Sequence, residues 1–180
     1  MQRRAALLAI IMSALLVTAC AGPQPRDYAD TGPRFDLAAF FTGPVRAWGI
    51  FQGRDGEVRR RFTVDIEGRM EGDTLVLDER FRYADGERQQ RVWRIERVDA
   101  HHWQGEAGDI VGTAAGSEYG FALNWRYTLK LAVDGTEWQL AFDDWMYRID
   151  EDTVINRAQV SKWGINVGEV TLFFRKGASS

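Results

Sequence analysis

The feature that most limits the fold is a two-residue period that runs through most of the chain after Phe40. In Arg60–Glu67, Phe62, Val64 and Ile66 alternate with Arg61, Thr63, Asp65 and Glu67. One such face is buried and the other wet, which is the signature of an antiparallel strand with water on one side. Phe121, Leu123, Trp125, Tyr127, Leu129 and Leu131 form a longer stripe, with Asn124, Arg126, Thr128 and Lys130 opposite. Trp138, Leu140 and Phe142 repeat the pattern, and so do Val170, Leu172 and Phe174. Further strands are predicted over 45–51, 74–81, 89–97, 102–107, 110–115 and 153–160. Asp55-Gly56, Ala84-Asp85-Gly86 and Val133-Asp134-Gly135 fall between strand pairs. Asp-Gly tolerates the positive φ of tight hairpin turns. The longest helix the pattern allows is short, over 36–41.

Nine or ten strands joined by hairpins imply an all-β domain. The expected architecture is an antiparallel up-and-down β-barrel of the lipocalin type, with a β-sandwich as the alternative. Sequential hairpins favour the barrel, and closure removes exposed edges. An outer-membrane pore fits poorly, because the faces opposite the apolar stripes carry Arg, Asp and Glu, which belong in water rather than lipid.

The N-terminus follows a different logic. Arg3 and Arg4 precede an apolar run from Leu7 to Val17. A permanent membrane helix needs about 20 residues, so this run reads as the apolar region of a signal peptide. It ends in Val17-Thr18-Ala19-Cys20, and Cys20 is the chain's single cysteine. The segment resembles the lipobox of bacterial lipoproteins, in which the chain is cut before the cysteine and acylated on it. That resemblance implies a signal peptide over 1–19, lipid attachment at Cys20, and a tether over 20–33 ahead of one barrel domain at 34–180. The alternative is an ordinary signal peptide that contains a cysteine. Two or three acyl chains would hold the protein firmly at a membrane. Ala21 in place of Asp points, by the enterobacterial sorting rule, to the outer membrane of a bacterial envelope, facing the periplasm.

Composition excludes several functions. A formal charge of −3, which becomes about −5 once Arg3 and Arg4 leave with residues 1–19, argues against a nucleic-acid partner. One Cys and two His leave no zinc-type ligand set, and no metal or cofactor is expected. The adjacent His101 and His102 should diverge on a strand.

The body resembles the bacterial lipoprotein family known as domain of unknown function 3833. The resemblance rests on Phe40-Phe41-Thr42-Gly43, Arg46-Ala47-Trp48-Gly49-Ile50-Phe51, Leu77-Asp78-Glu79-Arg80-Phe81 and Asp85-Gly86-Glu87. It continues through Arg91-Val92-Trp93-Arg94-Ile95, Phe142-Asp143-Asp144-Trp145-Met146-Tyr147, and 156–170 with its Ser161-Lys162-Trp163-Gly164. It implies a lipocalin-type barrel and a lipid connection by genomic association. It brings no known activity, so no catalytic residue transfers.

Two carboxylates fall on faces that should be inward. Asp144 shares a register with Trp138, Leu140 and Phe142, and its neighbour Asp143 points out. Glu79 shares a face with Leu75, Leu77 and Phe81. A buried carboxylate must find a partner or stay neutral, and Arg91 or Arg80 could supply a cation to Glu79. The candidate ligand contacts are therefore Glu79, Arg91, Trp93, Trp125, Asp144 and Trp145. Trp48, Trp138 and Trp163 could join them in lining a cavity, or the aromatics could fill a solid core. The leading expectation is a membrane-anchored binder of a hydrophobic or amphiphilic ligand. A filled barrel acting through protein contacts and an enzyme acting on a lipid-like substrate are the alternatives, and the linear sequence offers no catalytic set.

Overall fold

A computed structural model describes residues 22–133 and 135–177. The signal-like run and Cys20 lie outside the described residues. Ten strands form one closed antiparallel barrel in which each strand pairs with the next and the last pairs with the first. They are β1 (Gly43–Gly53), β2 (Val58–Glu71), β3 (Thr74–Tyr83), β4 (Arg88–Arg97), β5 (His102–Glu106), β6 (Ala114–Tyr119), β7 (Ala122–Val133), β8 (Thr136–Arg148), β9 (Thr153–Lys162) and β10 (Ile165–Lys176). The lipocalin-like expectation holds, and the sandwich does not.

The alternating stripes face inward as the period requires. In β2, Val64 and Ile66 are buried. In β9, Val154, Asn156, Ala158 and Val160 are buried while the residues between them are exposed. The strand predicted over 110–115 is displaced. Residues 107–113 form an irregular loop tied to β7 by a bridge between Ile110 and Leu129, and β6 starts at Ala114. Two glycines in this loop supplied no period, and the apolar pair Ile110-Val111 imitated a strand start.

One end of the barrel is sealed. Helix α1 (Leu37–Phe41) lies across it, with Leu37, Phe40 and Phe41 buried beside Phe35. Complete burial of such side chains stabilises by about 1.5–3 kcal/mol each. The helix is only five residues long and cannot stand alone, so its termini are held from outside. The Asp36 side chain accepts from the Ala39 amide at 2.9 Å, a standard N-cap. Buried Glu118 accepts from the Leu37 amide at 3.2 Å and from Arg97 at 3.1 Å. At the other terminus the Lys176 ammonium donates to the carbonyls of Ala39, Phe40 and Thr42 at 2.6–2.9 Å, where a cation suits unpaired carbonyls. Gly68 permits this seat, since a Cβ there would sit 1.7 Å from the Phe41 carbonyl oxygen.

A single 3₁₀ turn (Pro25–Tyr28) packs on the outer wall near the sealed end. Tyr28 sits edge-on to Phe121, Trp145 and Tyr147, at 5.2–6.1 Å between ring centres. The hydrophobic core begins at Phe35 and ends at Phe174. A chain that starts at Ala21 therefore keeps every described strand, the plug and the whole described core. Among the described residues no helix is long and apolar enough to cross a membrane.

Candidate functional site

The barrel is hollow. A cavity of about 570 Å³ runs from the plug residues Leu37 and Phe41 to the hairpin end, where Arg59, Arg60, Tyr83 and Glu87 form its rim. Pockets that hold small molecules typically measure about 300–1,000 Å³. Most of the wall is apolar, and includes Phe62, Phe81, Trp93, Trp125, Phe142 and Leu172. A barrel with this cavity can enclose an apolar ligand, which the filled-barrel alternative would not provide. Glycines explain part of the room: Gly105 and Gly116 lie beneath the Trp125 indole, and a Cβ on Gly116 would approach it to 2.4 Å. The ring is pressed flat against β5 and β6 instead of crossing the lumen.

Half-way up the wall sits a polar patch. Glu79 on β3 and Arg91 on β4 are direct cross-strand partners, with Nη1 and Oε2 3.7 Å apart. Arg91 makes its closer contact elsewhere. Its Nε donates to both Asp109 carboxylate oxygens at 2.9–3.0 Å, and Nη2 lies 2.9 Å from Oδ2. Asp109 comes from the loop before β6, so the loop that the two-residue period missed supplies the main counter-ion of the cavity. Arg80, the other cation considered for Glu79, points outward and pairs with Asp78 at 2.7 Å.

Asp144 enters from β8 beside Trp125 of β7, its cross-strand partner. It is 6% exposed, and its Oδ1 has no hydrogen-bond partner. The Tyr127 hydroxyl lies against the same carboxyl. Asn156 on β9 faces the cavity from the neighbouring strand, fully buried, with its own Oδ1 unpartnered. Its amide orientation follows from the Trp145 carbonyl, which the Nδ2 approaches at 3.5 Å, since only an N–H can donate there.

Burial dominates the electrostatics. It pushes the Glu79 carboxyl up to about 7, with Arg91 pulling the other way and Asp109 adding to the rise. It pushes Asp144 up to about 7 as well, against the opposing pull of Tyr127 and Arg91. Glu79 retains 14% exposure of its side chain, and that surface faces the cavity. Arg91 is held charged by Glu79 and Asp109 in spite of its burial. The patch thus holds one close pair, Arg91 and Asp109, and two carboxyls that burial pushes up towards neutrality. Carboxyls poised near 7 can bind or release a proton in response to a ligand.

The sequence-predicted site residues divide cleanly. Glu79, Arg91, Trp93, Trp125 and Asp144 all line the cavity. Trp145 does not. It lies on the outer face of β8, stacked on Tyr147 and edge-on to Tyr28. Trp48 is on the outer face against Phe173, Trp163 stands 88% exposed in the β9–β10 turn, and Trp138 lies under the Lys162 ammonium beyond the cavity. His101 stacks on Tyr119 while His102 turns to Asp99, so the two rings do diverge.

The family model for a protein of unknown function, DUF3833, matches residues 14–176. The chain belongs to that family. A search of curated proteins gives no match. Among solved structures, the S-type phycobiliprotein lyase CPES from Guillardia theta superimposes with a TM-score of 0.58 at 8% identity, covering 87% of this chain and 100% of the lyase. At that identity the likeness is one of fold. In this DUF3833 chain, Asp109, Tyr127 and Asn156 are the site residues that sequence reasoning missed. Tyr127 was on the inward stripe and Asn156 interrupts an apolar one, which is a usable signal. Asp109 carried none.

Proposed function

We propose that the barrel takes up one apolar or amphiphilic molecule through its hairpin end and holds that molecule's polar group against Glu79, Arg91 and Asp144. The observation that carries this reading is the cavity itself, apolar along its length with one polar patch at mid-depth. Each methylene drawn out of water contributes about 0.8 kcal/mol. The chain works in the bacterial envelope on a lipid anchor at Cys20, at the outer membrane. Pro25–Tyr28 is docked beside the sealed end, and five residues of chain span at most about 18 Å. Such an anchor would keep the sealed end close to the bilayer and leave the mouth free.

Chemistry on the bound molecule is favoured over passive carriage by two observations. The fold neighbour is named a lyase, and the cavity holds two carboxyls close to neutral pH. One could donate a proton while the other accepts one, as general acid–base work requires.

The test starts from residues 21–180 expressed without the anchor. The purified protein is extracted under denaturing conditions, and the extract is compared by mass spectrometry with that of an unrelated soluble control. A stoichiometric apolar compound is expected. If the extract is clean, and neither fatty acids, phospholipids nor long-chain amines quench Trp fluorescence or raise Tm, the container reading is wrong. Chemical conversion is read by comparing the recovered compound from wild type, Asp144→Asn and Glu79→Gln. Identical compounds in all three would leave carriage alone. The anchor is tested by the mass of the N-terminal peptide, which should carry acyl chains on Cys20.

A further inference from the structure

The polar groups that line the cavity are unevenly satisfied. Arg59 is engaged by Asp55 and Glu57. Arg60 is held by Asp85 and Glu87, with its guanidinium 3.7 Å from the Tyr83 ring centre. Arg91 is shared by Asp109 and Glu79. At the rim the Tyr83 hydroxyl donates to Gln89, whose amide donates to Glu87. Every arginine lining the cavity is thus paired, and what remains open is acceptor oxygen.

Two such oxygens belong to residues that line the same cavity, Asp144 Oδ1 and Asn156 Oδ1, both fully buried and without a partner. They lie on adjacent strands. Met146 is directly opposite Asn156, and Asp144 is one inward position further along β8, opposite Ala158. Diagonal neighbours on one face of an antiparallel pair have backbones about 7–8 Å apart, and both side chains project into the same stretch of the cavity. A buried acceptor left open is costly, so a site that keeps two of them is built for something that donates.

We infer that Asp144 and Asn156 form a cradle for a hydrogen-bond-donating, non-acidic head group, an ammonium or N–H, at the end of an apolar ligand. The inference rests on the container reading above and narrows it. A carboxylate or phosphate head would bring a further acid into a patch that already contains Glu79, Asp144 and Asp109 and whose one cation is taken. An ammonium instead meets the two open oxygens, and Asp144 supplies the balancing charge when it ionises. Facing Asp144 are Trp125 and Tyr127 from β7, Arg91 from β4 and Glu79 from β3, with Asp143 beside it on its own strand.

The experiment titrates residues 21–180 at pH 7 with three twelve-carbon probes that differ only at the head: dodecylamine, dodecanol and dodecanoate. Each is kept below its micellar concentration, and Trp fluorescence and Tm are read. The amine is expected to bind at least tenfold more tightly than the carboxylate, with the alcohol between them. Asp144→Asn should shrink that ratio below threefold by weakening the amine, and Asn156→Leu should weaken the amine more than the carboxylate. The wild-type ranking needs no variant, so a variant that misfolds does not remove the test. Equal binding of all three, or tighter dodecanoate, overturns the cradle and leaves the container standing. Failure of all three to bind, together with a clean extract, overturns the container and the cradle with it.

Discussion

Glu79 and Asp144 face each other across the same cavity, are pushed to the same range by burial, and differ in company. Glu79 sits opposite Arg91 in the sheet register, and Arg91 is itself fixed by Asp109. Asp144 has a phenol nearby, the same arginine only at longer range, and an oxygen with no partner at all. The first region is a closed electrostatic unit and the second is an open one. The groups around Arg91 satisfy each other, whereas Asp144 and Asn156 each keep one acceptor oxygen without a partner.

Removing the central cation tests this contrast hardest. Arg91→Leu leaves Asp109 and Glu79 without their counter-charge, and breaking a buried pair from one side costs about 3–5 kcal/mol, less where a partner is part-exposed, as the Asp109 side chain is at 38%. Glu79 can retreat to its neutral form, which favours the lower end of that range. Urea unfolding at pH 7.5 should show a loss of about 3 kcal/mol. A loss below about 1 kcal/mol would mean that the arginine is not the keystone of the patch.

The pH profile separates the two acids. Both ionise near 7 in the folded barrel and near 4 in the unfolded chain. Between those values the unfolded chain releases protons that the folded one keeps. Stability from this source is therefore fully present below about pH 4, falls as pH rises towards 7, and levels off above it. Each carboxyl contributes a fall on the order of 3 kcal/mol. Glu79→Gln and Asp144→Asn should each flatten the slope over pH 5–7. Because Glu79 adds to the rise at Asp144, Glu79→Gln should remove more of the slope than its own contribution alone. A wild-type profile that rises over that interval would show both acids ionised in the fold.

Asp144→Leu should then do the opposite of Arg91→Leu. It exchanges a buried carboxyl with one unpartnered oxygen for an apolar side chain in an apolar wall, and is expected to raise stability at pH 7.5 by about 1–2 kcal/mol. A loss of stability would reveal a partner for Oδ1 and close the open region of the comparison.

The barrel was legible in the sequence because alternation is a local code. Each stripe states its own orientation, and Asp-Gly turns join neighbours in chain order. Glu79, Arg91 and Asp144 were readable for the same reason, since an acid or a base in an apolar register announces itself. Asp109 was not, because it lies in a loop and reaches Arg91 by the path of residues 107–113, which has no period. Trp145 was misassigned to the site for a related reason. Its place after Asp144 made it conspicuous, but successive residues of a strand face opposite sides. The hollow interior was beyond local reading. It depends on glycines of β5 and β6 that let Trp125 lie flat, and on a five-residue plug whose clamps, Glu118 and Lys176, lie 81 or more residues away along the chain.

The smallest expected effect belongs to that misassigned tryptophan, and it checks the boundary between wall and surface. Trp145 is stacked on Tyr147 at 6.1 Å and touches Tyr28 of the docked N-terminal turn. Phenylalanine can keep most of this packing, and aromatic pairs of this kind contribute about 0.5–1.5 kcal/mol beyond burial. Trp145→Phe should therefore cost less than about 1 kcal/mol and change dodecylamine affinity by less than twofold. Trp93 and Trp125 stand in edge-to-face contact at 5.8 Å within the cavity wall, so the ligand-induced quenching should survive in Trp145→Phe and weaken in Trp93→Phe. If Trp145→Phe abolished the quenching instead, the ligand would have to sit on the outer wall beneath the N-terminal turn, and the open oxygens of Asp144 and Asn156 would need another explanation.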